Sequence, residues 1–155
     1  MATSLGYTSA GIVSQAVKNT GATLIPQGAV CSLKVGATAT VIGAEQAIIE
    51  VEIAGAAVKH CGIAATAMPA NYGGTVIQIG PCLVMTTAAA LAIGVAVKVA
   101  PGDYKVVAYA ASGTNVGVTL RAKHTPDTAP DYGVNTTTYA ECWMNFITSA
   151  SFGYT

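Results

Sequence analysis

The residues with chemistry to offer are few and scattered. His60-Cys61 sets a titratable ring beside a thiol, and Glu50 and Glu52 lie two apart, so an extended strand puts both on one face. His124 is followed by Asp127 and Asp131, and Ser112 stands in "ASGTNVG". Paired carboxylates can move protons, and a His with carboxylates can hold a metal or activate water. Neither group reaches that chemistry by spacing. No third ligand accompanies His124 at a recognisable interval, and no base lies near Ser112 in sequence. The patterns G-x-S-x-G, Walker loop, H-E-x-x-H and Rossmann glycines are all missing. Solvation of a strand face explains the glutamates, and turn-making explains Ser112 and the aspartates. The expectation is therefore no catalytic residue, no metal and no cofactor.

The cysteines are Cys31, Cys61, Cys82 and Cys142, with no C-x-x-C pair. They read as buried free thiols in a reducing compartment, and a disulfide between distant cysteines stays open. The opening "MATSLGYTSAGIVSQAVKN" has neither a basic start nor an apolar core of signal-peptide length, so no export is expected.

Charge narrows the field further. Of 155 residues only 9% are charged, with seven Lys+Arg against seven Asp+Glu. An ordinary soluble protein carries about 25%. Basic residues stand singly apart from Arg121 and Lys123, so the clustered cations that phosphate backbones require are missing, and no nucleic-acid partner is expected. Apolar residues make up 52%, many of them Ala and Val, alongside 17 Gly. A neutral, weakly charged surface is poorly protected against association. A surface largely taken up by partners follows. The seven tyrosines also suit a carbohydrate-binding module, which is kept as a third reading.

Strand-like alternation dominates from Thr23 onward. Cys31, Leu33 and Val35 share one face of "AVCSLKV", and Ile49, Val51 and Ile53 oppose Glu50 and Glu52. Further strands are expected at Thr38–Ile42, Ala57–Ile63, Thr75–Ile79, Val95–Val99, Tyr104–Tyr109, Val116–Arg121 and Tyr139–Ile147. Turn signals separate them, Pro101-Gly102-Asp103 being the clearest hairpin. The fold expected is all-β: a single-domain antiparallel sandwich or barrel of about 8–10 short strands. At most one short helix is allowed, near residues 86–93. Residues 1–22 read as an extended arm and 23–155 as the β domain, with a long loop at 123–135 and a last strand at 139–147.

The stretch from Cys61 to Val97 has no charged residue. It does not read as a membrane span, because Gly80-Pro81 would break a helix and the uninterrupted apolar piece is only Leu83–Val97. A bilayer helix needs about 20 apolar residues. The Ala-rich piece Thr86–Ile93, with Ala89 and Leu91, instead suggests a subunit interface, with Trp143 and Phe146 as further anchors. Leu5, Tyr7, Ile12 and Val13 are the apolar residues an ordering arm would insert into a partner.

The block from Cys61 to Leu120 carries a rhythm: "CGIAATAM", "GGTVIQIGPCLVM", "ALAIGVAVKVAPGDYKVV" and "SGTNVGVTL", preceded by "LIPQGAVCSLKVG". It resembles the small β-rich decoration, or cement, proteins of tailed-bacteriophage capsids. The shared elements fall at Gly28–Val30, Gly62–Ala64, Val76–Gly80, Ile93–Val97 and Val116–Val118, within residues 23–122. The resemblance implies a structural virion protein made in the host cytoplasm that binds the major capsid protein on the outer surface of an assembled head, as a homotrimer. It implies reinforcement of the shell. Another self-assembling subunit, of tail, fibre, filament or adhesin type, is the alternative.

Overall fold

In a computed structural model, the described residues are 12–34, 41–42, 46–47, 49–55, 59–87, 91–111, 113–124 and 138–146. Strands there are β1 (Val13–Asn19), β2 (Val30–Leu33), β3 (Val41–Ile42), β4 (Gln46–Ala47), β5 (Ile49–Ile53) and β6 (His60–Ala64). They continue with β7 (Gly73–Thr86), β8 (Ala96–Val99), β9 (Val106–Ala108), β10 (Gly117–His124) and β11 (Thr138–Asn145). The protein is all-β, with no helix among the described residues.

Nine strands form one sheet in the order β1-β5-β2-β6-β7-β11-β10-β8-β9, while β3 and β4 pair separately. Two extra pairings close it. β1 returns to the first half of β7, Val13 opposite Ile79 and Lys18 opposite Gly73, which makes a barrel of β1, β5, β2, β6 and β7. β9 touches the far end of β7 at Thr86, so β11, β10, β8 and β9 form a second circuit on its other half. The 14-residue β7 is thus a stave common to both. The pairing is mixed rather than purely antiparallel, because β1 runs parallel to β5 and β9 parallel to β7.

Closure explains how a stretch without charges can stay inside one chain. One cluster buries Val17, Ile25, Cys31, Val51, Cys61, Met68, Val76, Met85 and Tyr139, and lies with the first barrel. The other buries Val84, Leu91, Val97, Val106, Val116, Cys142, Met144 and Phe146 around the second circuit, together with Val30, Ala54 and Ile63 from the first barrel's strands and their flanks. Closed circuits also leave few free strand edges, which blocks edge-to-edge pairing.

Three expectations change. The strand expected at Thr75–Ile79 does not stop before Gly80-Pro81; β7 runs through the pair. The reason lies in the two edges of β7. The Phe146 amide donates to the Gln78 carbonyl at 2.8 Å, so even-numbered backbone groups face β11. Pro81 therefore lacks its N–H on the opposite edge, between the β6 pairings at Val76 and Ile77 and the bond from the Met85 amide to the Gly28 carbonyl. A proline at such a gap forfeits no ladder bond.

Among the described residues no helix stands near 86–93: Thr86 ends β7, Leu91 has no regular secondary structure, and Ile93-Gly94 is a turn. Within the arm expected over residues 1–22, Val13–Asn19 is instead a barrel strand, and residues 1–11 lie outside the described residues. Its burial alternates from Val13 to Asn19, with Val17 and Asn19 inside. Most of the long loop at 123–135 lies outside the described residues.

Asn19 pins the end of this strand. It is wholly buried, and its Nδ2 donates to the carbonyls of Thr23 (2.9 Å) and Met68 (2.8 Å) while its Oδ1 accepts from the Gly21 amide (3.0 Å). Its backbone amide also donates to the Tyr72 carbonyl at 2.9 Å. One side chain thereby ties the β1–β2 connection to the β6–β7 connection at this end of the barrel. Buried polar groups are tolerated when satisfied in this way.

Candidate docking face

Among the described residues, those flagged for catalysis do not assemble a reactive centre. Ser32 and His60 are hydrogen-bonded at 3.1 Å between neighbouring strands, and Glu52 stands opposite Ser32 on the other side. The order across the sheet is Glu52, Ser32, His60. An acyl-transfer triad needs the histidine between the other two, and it needs an accessible hydroxyl. Ser32 is fully buried. Burial also pushes the His60 pKa below its ordinary value, so the ring is held neutral as a hydrogen-bonding partner. Glu50 instead accepts from the Thr20 hydroxyl at 3.4 Å. Asp127 and Asp131 lie outside the described residues, as does Ser112. Among the described residues no three His, Cys, Asp or Glu side chains gather as metal ligands.

The thiols are all free. Burial raises Cys61 and Cys82 to about 12 and Cys142 to about 11, and pushes Cys31 well above its usual value. These thiols are protonated at neutral pH and so react slowly there.

What the sheet does present is an apolar row on its outer side. Ala96 on β8 pairs with Val118 on β10, Val118 with Trp143 on β11, and Trp143 with Pro81 on β7. Four strands thus set four apolar residues side by side, which no single segment of the chain could do. Trp143, at the centre, is 40% exposed. A shallow groove of about 260 Å³ lies on one side of it, lined by Asn115, Val118, Trp143 and Asn145. A second, of about 470 Å³, is lined by Pro81, Cys82, Leu83 and Glu141.

Leu120 extends the face. The β10–β11 register shifts between Thr119 and Arg121, and Leu120, left without a partner in that bulge, is exposed. Ile93, 70% exposed, precedes Gly94, whose amide donates to the Thr119 carbonyl at 2.8 Å. A central tryptophan with aliphatic neighbours and a polar rim of Asn115, Asn145 and Glu141 has the anatomy of a protein-binding patch.

Of the residues singled out from sequence, Trp143 alone belongs to this face. Phe146 and Leu91 are buried in the core and offer no surface for a subunit contact. Phe146 points inward because it follows the parity of Cys142 and Met144, the inner side of β11. Val13 is half-buried in β1, Ile12 is half-buried just before it, and Leu5, Tyr7 and Ala89 lie outside the described residues. Val118, Pro81 and Leu120 were not legible as site residues, since only the register of strands distant in sequence brings them together.

No protein-family profile and no curated protein matches the chain. A solved structure does: the head fiber gp8.5 N base in bacteriophage phi29, with a TM-score of 0.53 and 11% identity, over 86% of this chain and 94% of that one. At that identity the likeness is one of fold, and it spans both circuits rather than a single motif.

Proposed function

We propose that the chain is a non-enzymatic structural protein attached to the outside of a bacteriophage head, of the kind that forms the base of a projecting fibre. The observation that supports this best is the extent of the fold likeness: nearly the whole of a head-fibre base is matched by nearly the whole of this chain. The apolar row centred on Trp143 supplies a surface for attachment that needs no charge and no pocket. A cement role is the second reading, favoured by the glycine and small-residue rhythm between Cys61 and Leu120. Both readings have the major capsid protein as partner and association into a homotrimer as the assembly state. Both place the chain on the virion exterior.

Co-sedimentation with purified heads of a phage whose genome carries this sequence tests the attachment. The wild-type chain should pellet with heads, and Trp143→Asp should bind about tenfold more weakly or worse while keeping its β-sheet spectrum. A chain that stays in the supernatant refutes head attachment; a Trp143→Asp variant that binds normally moves the contact elsewhere. Heads with and without the chain then separate the two roles. Projecting density at bound sites favours a fibre base, and greater heat resistance without projections favours cement.

A further inference from the structure

Cys82 and Cys142 are directly opposite one another on β7 and β11. They belong to the same set of backbone-bonded pairs as Gln78 and Phe146, four residues along each strand. Residues paired in that way have Cα atoms about 5.5 Å apart and side chains on the same face. A disulfide accepts Cα separations of about 4.4–6.8 Å. Cys142 is buried between Thr119 and Cys82, whereas Cys82 is half-buried and lines the groove beside Pro81, Leu83 and Glu141. Cys82 is thus the more exposed of the two, although its side chain packs against the same inner cluster as Cys142.

We propose that Cys82 and Cys142 are a cross-strand dithiol that a low-molecular-weight disulfide, such as oxidised glutathione, converts into an intramolecular disulfide tying β7 to β11. In the first step the Cys82 thiolate attacks the reagent, forming a mixed disulfide and expelling one glutathione thiolate. In the second the Cys142 thiolate attacks the Cys82 sulfur and expels the other. The two protein thiols lose their protons and two electrons; the reagent takes up both and leaves as two thiols. The raised thiol pKa values make the reaction slow at neutral pH and faster as pH rises, without changing its product.

The other two cysteines are placed differently. Cys31 pairs with Gly62 and not with Cys61, which occupies the register shift between β2 and β6. Cys61 Sγ donates to the Cys31 carbonyl at 3.5 Å, and both residues are buried in the barrel interior. These two should remain reduced. The inference rests on the geometry of β7 and β11 and holds whatever the chain attaches to.

The test incubates the folded chain with oxidised glutathione at mildly alkaline pH, then maps thiols by mass spectrometry without reduction. The expected product has lost two hydrogens, yields a Cys82–Cys142 linked peptide, and leaves Cys31 and Cys61 free to alkylate after unfolding. It also melts at a higher temperature than the reduced chain. Cys142→Ser should trap the glutathione adduct on Cys82, and Cys82→Ser should abolish the linkage. A Cys31–Cys61 link, a persistent adduct on wild-type Cys82, or no reaction under conditions that fully oxidise a model dithiol peptide would each overturn the proposal. The wild-type map decides even if neither variant folds.

Discussion

At the scale of single residues, the groups that look reactive are spent on holding the barrel together. Asn19 is the clearest case, because its amide satisfies two carbonyls and one backbone amide in two separate connections. Asn19→Ala would remove three hydrogen bonds, each worth about 0.5–1.5 kcal/mol net, although the Met68 carbonyl would keep its bond from the Ile25 amide. The variant should be destabilised by roughly 2–4 kcal/mol, read as a shift in the urea midpoint with little change in slope. A loss below half a kcal/mol would mean that water replaces the side chain. Gly28 is constrained in a different way. Its φ of +81° is unfavourable for other residues, and an added Cβ would meet Tyr139 Cε1 at 2.9 Å. Asn19 ends β1 and Gly28 lies in the connection that follows it, and neither role is visible in composition or periodicity. Ser32 and His60 carry the same lesson, since a dyad that would suggest catalysis on an open surface is here a buried bond.

At the scale of elements, alternation made most strands readable. The patterns in "AVCSLKV" and "AIIEVEI" correspond to β2 and β5, and the expected strands near 104–109, 116–121 and 139–147 correspond to β9, β10 and β11. Two elements were misread for physical reasons. β7 hides its continuity because Gly80-Pro81 looks like a break, yet the missing N–H falls in a gap on the β6 edge, beyond the pairings at Val76 and Ile77. β1 hides among Ser, Ala and Gln, and its inward row of Val13, Gln15, Val17 and Asn19 is too polar to stand out. The face around Trp143 was only partly legible, because a row across β8, β10, β11 and β7 depends on pairings distant in sequence. The extent of β1 changes what can be cut from the N-terminus. Removing residues 1–11 spares the barrel, whereas removing 1–19 deletes the strand that pairs with both β5 and β7. The first deletion should retain a cooperative thermal transition, and the second should lose it. If the shorter deletion still folds but no longer pellets with heads, the arm carrying Leu5 and Tyr7 makes the attachment. If it pellets as well as the full chain, the arm is not the contact.

At the scale of the whole molecule, low charge and closed circuits constrain how this chain can bind anything. Seven positive and seven negative residues give no net field to steer an encounter. Closure leaves little free edge for an added strand, so attachment falls to side-chain faces. Even the largest exposed apolar patch on a typical monomer covers only about 300–600 Å². A stable standard interface takes about 800 Å² from each partner. One copy should therefore hold weakly through this face, and several copies joined to one another should gain by avidity on a repeating shell. An attachment of that kind has a recognisable response to salt. Ion pairs at a surface fade as the screening length shrinks from about 10 Å at 0.1 M to about 3 Å at 1 M. Apolar contacts do not fade, and sulfate strengthens them. The fraction of chain pelleting with heads should thus hold steady across that range of sodium chloride and rise in ammonium sulfate. A fall of about tenfold or more over the same range would mean that charged residues carry the attachment and that the Trp143 row does not.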